Sequence, residues 1–282
     1  MAVTPRAASS VVLLGTLGGP GGDAKRSGIA TLVRIAGHQW LVDAGDGVVH
    51  QLAAAGADER DVEAVFLTHL HDDHTAGLPA LMSFRFTRRE PPLSIFGPPG
   101  TRALVAGALA FLRSNADIRM AEQRNLTPLE NLFDVHEVLD GQIFETPECR
   151  VAARSNTHFH LAPQGSGASA RSYSLRFDCT ERSIGFTGDT GPDENLASFF
   201  KGANLLVAEM VSSLDISRLP EGLRAHMMEE HLAPEQVGKL ANVAGVQTLV
   251  LSHVRDVRAD DLAVIRHEFR GMVFVGADLQ VH

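Results

Sequence analysis

Four side chains that can bind a metal ion occur within six consecutive residues of this chain. The segment Thr68–Gly77 reads THLHDDHTAG and contains His69, His71, Asp73 and His74 in the pattern H-x-H-x-D-H. Imidazole and carboxylate groups suit zinc, manganese and iron as ligands. No structural role requires three histidines at this density, so the pattern predicts a metal centre rather than a solvated loop rich in histidine and aspartate.

An apolar segment comes directly before this motif and must position it. Val62–Leu67 has the length and composition of a buried strand. Histidine and aspartate are poor formers of a helix interior, and Gly77 ends the stretch. We therefore expect the strand to end in a loop that directs all four side chains to one side.

Further ligand candidates follow other predicted strands in the same way. A centre with two metal ions needs about six to eight ligands, more than the first motif supplies. The candidates are His158 and His160 after Arg150–Ala153, Asp189 after Ser183–Phe186, and His253 after Thr248–Leu251. Chemistry alone does not separate His158 from His160. Taken in isolation, Asp189 would be an ordinary turn aspartate.

The order of predicted elements indicates the fold class. Strand-rich stretches alternate with helices in both halves of the chain, which predicts an α+β class with two packed mixed β-sheets and helices on the outer faces. Helices are predicted at Val48–Ala55, Leu78–Phe84, Leu104–Leu112, Pro234–Val243 and Asp260–Phe269. Asn115–Asn131 has weak periodicity and receives no assignment. Without a repeat or a long linker, we expect one domain over residues 1–282.

Composition limits the classes of partner. The 282 residues are 44% hydrophobic, enough for a large core, and the net charge of −9 argues against a general surface for polyanions. The two cysteines, Cys149 and Cys179, are too few for a disulfide framework, so we expect both to be buried and reduced. No apolar run is long enough to span a membrane, and Val11–Leu14 is too short for the core of a signal peptide. These features predict a cytoplasmic protein without a membrane partner.

Several motifs together resemble the metallo-β-lactamase-fold hydrolase superfamily. The resemblance is closest to the branch that contains ribonuclease Z, arylsulfatases and cyclic-nucleotide or phosphodiester hydrolases. The motifs that carry it are Leu14–Pro20, Leu41–Gly47, the THLHDDH segment, Phe96–Pro98, Thr187–Thr190 and Leu251–His253. The resemblance covers nearly the whole chain. It implies an αββα sandwich and two divalent metal ions, with zinc favoured and manganese or iron left open.

The resemblance also implies a role for each candidate ligand. One ion would be held by His69, His71 and His158, and the second by Asp73, His74 and His253. Asp189 and a hydroxide would bridge the two ions. His158 is preferred to His160 because it stands at the family's distance after the strand that contains Val151.

Two more residues match the branch pattern. Glu209 and His231 correspond to a glutamate and a histidine that assist proton transfer, so the predicted catalytic residues are Asp73, His231 and Glu209. A histidine oriented by a carboxylate can protonate a leaving alkoxide near neutral pH. The alternatives are a surface histidine at a helix start and a charge at a strand end. Asp43 is predicted to accept a hydrogen bond from a ligand histidine.

The predicted reaction is hydrolysis of a small ester, with a phosphodiester as first choice, by attack of a hydroxide that bridges two metal ions. Transfer RNA is an unlikely partner, because the interval from His158 to Asp189 is too short for the arm that grips tRNA in ribonuclease Z. The alternatives are a β-lactamase or lactonase, an arylsulfatase, a mononuclear iron dioxygenase and a non-catalytic member. A homodimer is expected from the resemblance only. The Gly15–Gly22 loop is interpreted as turn geometry, and Arg85, Arg88 and Arg89 as a solvated face.

Overall fold

The computed structural model describes residues 9–86, 92–123, 126–159 and 170–282. The chain divides into two compact units, each with its own β-sheet. Unit 1 contains Gly22–Glu137 together with residues near both ends of the chain, and unit 2 contains Val138–Ala277 together with Thr16–Gly21. This division does not test the expectation of one domain, which stays a prediction.

Unit 1 has a mixed sheet of six strands whose spatial order follows the chain. The first three strands form an antiparallel meander, and the third to the sixth are parallel. The strands are β1 (Ser10–Gly15), β2 (Ala30–Ile35), β3 (His38–Val42), β4 (Val62–Phe66), β5 (Leu93–Gly97) and β6 (Phe133–Glu137). The predicted apolar strand before the metal motif is therefore confirmed as β4.

The helices of unit 1 each bury one face against its core. They are α1 (Val48–Ala54), α2 (Asp72–Thr75), α3 (Leu78–Phe86) and α4 (Thr101–Glu122). In α4 the buried residues Val105, Ala108, Leu112 and Ala116 recur every three or four positions, as one face of a helix requires. Because Ala116 continues this face, α4 extends beyond the predicted Leu104–Leu112 into the segment that received no assignment.

Arg85 does not belong to a solvated face, so that expectation is wrong for this residue. Its side chain lies at the end of α3 and is buried. Nη1 donates hydrogen bonds to the carbonyl groups of Glu59, Arg60 and Val62 at 2.8, 3.0 and 2.8 Å. These carbonyls need a donor where the chain enters β4, and Arg85 supplies it. Arg88 and Arg89 lie outside the described residues.

Unit 2 has a mixed sheet of seven strands. The strands are β7 (Gly141–Glu145), β8 (Cys149–Ser155), β9 (Tyr173–Cys179), β10 (Ser183–Phe186), β11 (Leu205–Ala208), β12 (Thr248–Leu251) and β13 (Met272–Val275). Strands β7 to β10 are antiparallel, and β10 to β13 are parallel. Because β8 runs in the same direction as β10, the carboxyl ends of β8, β10, β11 and β12 all lie at one edge.

The helices of unit 2 differ in how many of their residues are buried. They are α5 (Glu194–Phe199), α6 (Ser213–Arg218), α7 (Glu221–Glu230), α8 (Pro234–Ala244) and α9 (Ala259–Glu268). Helix α8 packs residues such as Val237 and Ala241 into the core and ends at Gly245, whose φ of 67° suits a glycine. By contrast, α6 buries no residue and α7 buries only Glu230. The sequence pattern predicted neither helix, and we call residues 213–230 the α6–α7 hairpin.

Among the residues that the structure describes, no helix is long and apolar enough to cross a membrane. Helix α4 is 22 residues long, but Arg102, Arg113 and Arg119 interrupt its apolar sequence.

The prediction that Cys149 and Cys179 are reduced is wrong, because a disulfide joins them. The two residues face each other on the antiparallel strands β8 and β9, with their Cα atoms 3.9 Å apart. Counting cysteines did not reveal this pair, because the register of β8 against β9 brings together residues 30 positions apart.

The double variant Cys149→Ala/Cys179→Ala should unfold more readily than the wild type. A disulfide that closes a loop of this length stabilises a protein by about 2–4 kcal/mol, chiefly by restricting the unfolded chain. Urea unfolding of the variant and the wild type, with and without a reductant, measures the difference. Equal midpoints under all conditions would show that the cross-link does not contribute to stability.

Candidate metal centre

The first cluster of metal-competent side chains belongs to unit 1 and follows β4. The ring centroids of His69 and His74 are 4.0 Å apart, and those of His69 and His71 are 4.7 Å apart. Nε2 of His69 lies 3.0 Å from Nδ1 of His71. Oδ2 of Asp73 lies 3.8 Å from Nε2 of His74. The four predicted ligands of the H-x-H-x-D-H motif are thus brought together within this unit.

Asp43 organises this cluster from the end of β3. It is buried, and its Oδ2 lies 2.9 Å from Nδ1 of His74, which confirms the predicted hydrogen bond to a histidine of the motif. The backbone N–H and the hydroxyl of Thr68 also donate to Asp43, at 2.8 and 3.0 Å. When Nδ1 of His74 donates to Asp43, Nε2 carries the lone pair that a metal ion requires.

The second cluster belongs to unit 2 and is centred on the buried carboxylate of Asp189. Oδ2 of Asp189 lies 4.0 Å from Nε2 of His158 and 4.0 Å from Nδ1 of His231. Oδ1 lies 3.5 Å from Nδ1 of His253. The three histidines follow β8, α7 and β12, and Asp189 follows β10. His158, Asp189 and His253 therefore lie after strand ends at one edge of the sheet, as predicted.

The orientation of His158 is fixed by backbone and side-chain partners on neighbouring elements. Nδ1 of His158 lies 3.0 Å from the carbonyl oxygen of Glu230. The backbone N–H of His158 donates to Oδ1 of Asn156 at 3.2 Å, and Nδ2 of Asn156 donates to the carbonyl of Thr187 at 3.1 Å. Asn156 thus ties the loop after β8 to the loop after β10. The choice of His158 over His160 is not tested, because His160 lies outside the described residues.

Glu209 and His231 form a hydrogen-bonded pair. Glu209 is buried at the end of β11, and its Oε2 lies 3.2 Å from Nδ1 of His231. Oε1 accepts from the backbone N–H groups of Leu232 at 3.0 Å and Thr190 at 3.3 Å. The His231 side chain is only 12% exposed, so the alternative of a surface histidine does not hold.

This pairing changes the acidity of His231. Burial by itself lowers the pKa of the imidazole. The charge and hydrogen bond of Glu209, together with the charges of Asp189 and Glu230, outweigh that effect and raise the pKa from 6.5 to about 9. In the metal-free chain, a histidine in this environment carries a proton at neutral pH, as a proton donor must.

The glycine-rich segment near the N-terminus packs against His253 within unit 2. A Cβ atom at Gly18 would lie 2.6 Å from the carbonyl oxygen of His253, so only glycine fits there. The backbone N–H of Gly19 donates to Nε2 of His253 at 3.3 Å. The segment therefore allows close packing beside a ligand candidate. The glycine pattern alone predicts only a turn, because the approach of His253 depends on residues more than 230 positions away.

The donor set of each cluster fits a divalent metal ion. Imidazole nitrogens and carboxylate oxygens converge in both, and zinc, manganese and iron accept such mixed ligands. In unit 2 the ligand atoms of His158, Asp189 and His231 lie within 4.8 Å of one another. His231 is therefore as close to Asp189 as the ligand candidate His158 is, at 4.0 Å. The sequence, however, predicts a catalytic role for His231.

Comparisons with known proteins relate this chain to a family. A sequence model of the family described as "Anti-Pycsar protein Apyc1" matches residues 14–251. The chain is 34% identical over 278 residues to the ribonuclease Z of Mycobacterium avium (strain 104), with 95% of this chain and 96% of that protein covered.

Two solved structures have a similar fold. The metallo-β-lactamase fold protein YhfI from Bacillus subtilis superposes with a TM-score of 0.73 at 18% identity, covering 98% of this chain and 99% of YhfI. The short form of human tRNase Z superposes with a TM-score of 0.72 at 21% identity, covering 97% of this chain and 98% of that enzyme. The predicted fold class, an α+β chain with two mixed sheets, is confirmed as the metallo-β-lactamase fold.

After treatment with a metal chelator, the protein should lose stability as the pH rises from about 6.5 to about 9. The pKa of His231 is higher in the folded than in the unfolded chain. Its contribution is therefore complete below the unfolded pKa and is lost as the pH rises through the folded pKa. Urea unfolding across this range measures the effect, with His231→Gln as the comparison. An equal decrease in that variant would show that another group is responsible.

Proposed function

This chain belongs to the family described as Anti-Pycsar protein Apyc1, within the ribonuclease Z-like branch of the metal-dependent hydrolases with the metallo-β-lactamase fold, and on this basis we propose that it hydrolyses a small phosphodiester with two divalent metal ions. The observation that carries the proposal is the surroundings of Asp189. Its two carboxylate oxygens face different histidines, Oδ1 towards His253 and Oδ2 towards His158. A carboxylate that bridges two metal ions requires such an arrangement, with each oxygen directed towards a different set of ligands.

The proposed ligand sets follow the family pattern. In this pattern His69, His71 and His158 would hold one ion, Asp73, His74 and His253 would hold the other, and Asp189 would be shared by the two. The proposal treats residues 1–282 as one working domain. Zinc is the favoured ion because imidazole outnumbers carboxylate among the ligands, and manganese or iron would accept the same set.

The roles of the side chains follow from their contacts. When bound, the two ions would lower the pKa of a water molecule, polarise the ester and neutralise charge in the transition state. His231 carries the proton that the leaving alkoxide takes up. Glu209 holds the His231 ring through Nδ1, so that Nε2 is the nitrogen that transfers the proton. Asp73 acts as a ligand that orients the reacting groups.

A small substrate is the first choice because the net charge of −9 disfavours a broad contact with RNA. Processing of tRNA is the second candidate, favoured by the 34% identity to a ribonuclease Z. The short interval between His158 and Asp189 does not separate the two candidates. The alignment covers 96% of that relative, which leaves little room for a long additional arm in it.

Two secondary proposals concern the oligomeric state and the cellular location of the protein. A homodimer is consistent with the family. A cytoplasmic location follows from the sequence analysis, and the disulfide between Cys149 and Cys179 weighs against it, because disulfides persist mainly in oxidising compartments. Labelling of free thiols in protein taken directly from cells tests the location. Two free thiols support the cytoplasm, and none supports an oxidising compartment.

The first test combines elemental analysis with hydrolysis of bis-p-nitrophenyl phosphate by the same preparation. We expect about two divalent ions per chain and turnover of the diester, as a binuclear centre requires. Asp189→Ala should lose metal and activity together, because it removes the proposed bridge. Asp193→Ala is the matched control. Asp193 is the N-cap of α5 and accepts from the backbone of Asn195, so it should affect stability and leave the metal content unchanged.

Other results would contradict the proposal or favour a different reaction. Wild-type metal content in Asp189→Ala would contradict the bridging role. Two ions without diester turnover would favour an arylsulfatase, lactonase or β-lactamase, and cleavage of precursor tRNA would favour the second candidate. One iron per chain with oxygen uptake would instead indicate a dioxygenase.

The variant His231→Ala should keep both ions and slow turnover by about 10²–10⁴-fold for a diester with a poor leaving group, the usual contribution of general acid catalysis. An ester with a nitrophenolate leaving group needs little protonation, so it should be affected much less. Equal losses for both substrates would show that His231 does not supply the proton. Loss of one ion would instead make His231 a metal ligand.

A further inference from the structure

The α6–α7 hairpin is attached to unit 2 through its ends. Between Ser213 and Glu229 none of its residues is buried, whereas Ser212, Glu230 and Leu232 are buried. The backbone N–H of Val211 donates to the carbonyl of Leu232 at 3.0 Å, which joins the two ends. The hairpin is therefore held to unit 2 at its ends, which include the turn at the carboxyl end of α7, residues 229–232, and not by packing along its length.

This turn lies directly against the loop that contains Asp189. A Cβ atom at Gly191 would lie 1.9 Å from the carbonyl oxygen of Glu229 and 3.0 Å from Oγ1 of Thr157. The φ angle of Gly191 is not in the left-handed region, so glycine is required here for space and not for backbone conformation. Only a residue without a side chain allows the turn to approach the loop this closely.

The next residues of the same turn hold the site histidines. The carbonyl of Glu230 lies 3.0 Å from Nδ1 of His158, and both groups are buried. Nδ1 of His231 lies 3.2 Å from Oε2 of Glu209, and the N–H of Leu232 donates to Oε1 of the same carboxylate at 3.0 Å. Four consecutive residues thus contact the Asp189 loop, His158 and Glu209.

We propose that Gly191 is a positioning residue, which admits the carboxyl-terminal turn of α7 so that the carbonyl of Glu230 can orient His158. The inference rests on the proposed function, in which His158 is a metal ligand. With its Nδ1 proton donated to Glu230, His158 presents the Nε2 lone pair in a fixed direction. A side chain at residue 191 displaces the turn, and His158 then loses the acceptor that fixes its tautomer and ring orientation.

The test measures metal affinity directly, by competition with a chromophoric chelator. Gly191→Ala should bind one of its two zinc ions about 10–100-fold more weakly, the usual effect of removing a partner that orients a ligand histidine. The matched control is Gly222→Ala in α7, where an added Cβ would meet nothing within 4 Å. Its affinity for both ions should equal that of the wild type. Visible absorption of the cobalt-substituted proteins reports the coordination independently of activity.

A second variant is designed to displace the turn by changing α7 rather than the Asp189 loop. Ala225→Pro interrupts α7 by removing an N–H group and by crowding the carbonyl four residues earlier. Because no residue between Glu221 and Glu229 is buried, the core should remain folded, which circular dichroism checks. The interruption separates the last turn of α7 from the rest of the helix, so the Glu230 carbonyl should lose its fixed direction and the same zinc ion should bind more weakly.

The outcomes separate this inference from the proposed function. Weaker binding of one ion in both variants, with the control unchanged, supports the positioning role. If Gly191→Ala fails to fold, Ala225→Pro still tests whether the carboxyl-terminal turn of α7 orients His158. Wild-type affinity for both ions in a folded Ala225→Pro protein would overturn the inference and leave the proposed function intact. A wild-type chain that binds no divalent ion would overturn both.

Discussion

Each unit of this protein buries a carboxylate against imidazole rings, and much of the surrounding structure follows from that constraint. Asp43 is 3% exposed in unit 1, and Asp189 and Glu209 are 3% and 4% exposed in unit 2. A buried carboxylate loses its hydration, and only hydrogen-bond donors or a nearby cation can offset that loss. Thr68 and His74 supply such contacts to Asp43, and backbone N–H groups and His231 supply them to Glu209. Asp189 faces histidines on several sides, the surroundings expected of a carboxylate that shares its charge with metal ions.

The direction of the strands provides the edge at which these groups meet. In unit 2 the parallel strands β10, β11 and β12 all end where their following loops carry Asp189, Glu209 and His253. Strand β8 is separated from β10 by one antiparallel strand, so it runs the same way and delivers His158 to the same edge. The disulfide joins β8 and β9 at the end that is remote from His158. The strand pair is therefore held by a covalent bond at one end and by the hydrogen bonds of Asn156 to Ser172 and Ser174 at the other.

The α6–α7 hairpin contributes little to the stability of the fold, but its carboxyl end contacts the site. Its exposed length contributes little apolar burial to the fold, yet its carboxyl-terminal turn contacts the Asp189 loop, His158 and Glu209. Backbone groups make most of these contacts: the carbonyl oxygen of Glu229 faces the Asp189 loop, that of Glu230 faces His158, and the N–H of Leu232 donates to Glu209, which the His231 ring also contacts. Substitutions along the exposed surface of α7 that preserve the helix should therefore be tolerated, whereas displacement of the turn affects several site groups together.

The sequence by itself determined the metal-binding motif, the strand-end positions of His158, Asp189 and His253, and the fold class. Short apolar strands followed by polar ligands leave a local pattern, and β10 and β12 have the predicted bounds. A hydrogen bond from a motif histidine to Asp43 was also predictable, because a ligand histidine needs an acceptor that fixes its tautomer. Only the tertiary structure decided the disulfide, the burial of Arg85 and the contacts of the α7 turn. The register of β8 against β9 pairs the cysteines. Glu230 contacts His158 through a carbonyl group, which every residue has, across 72 positions of the chain. Backbone groups leave no mark in the sequence, and the space that Gly191 provides exists only once the chain has folded.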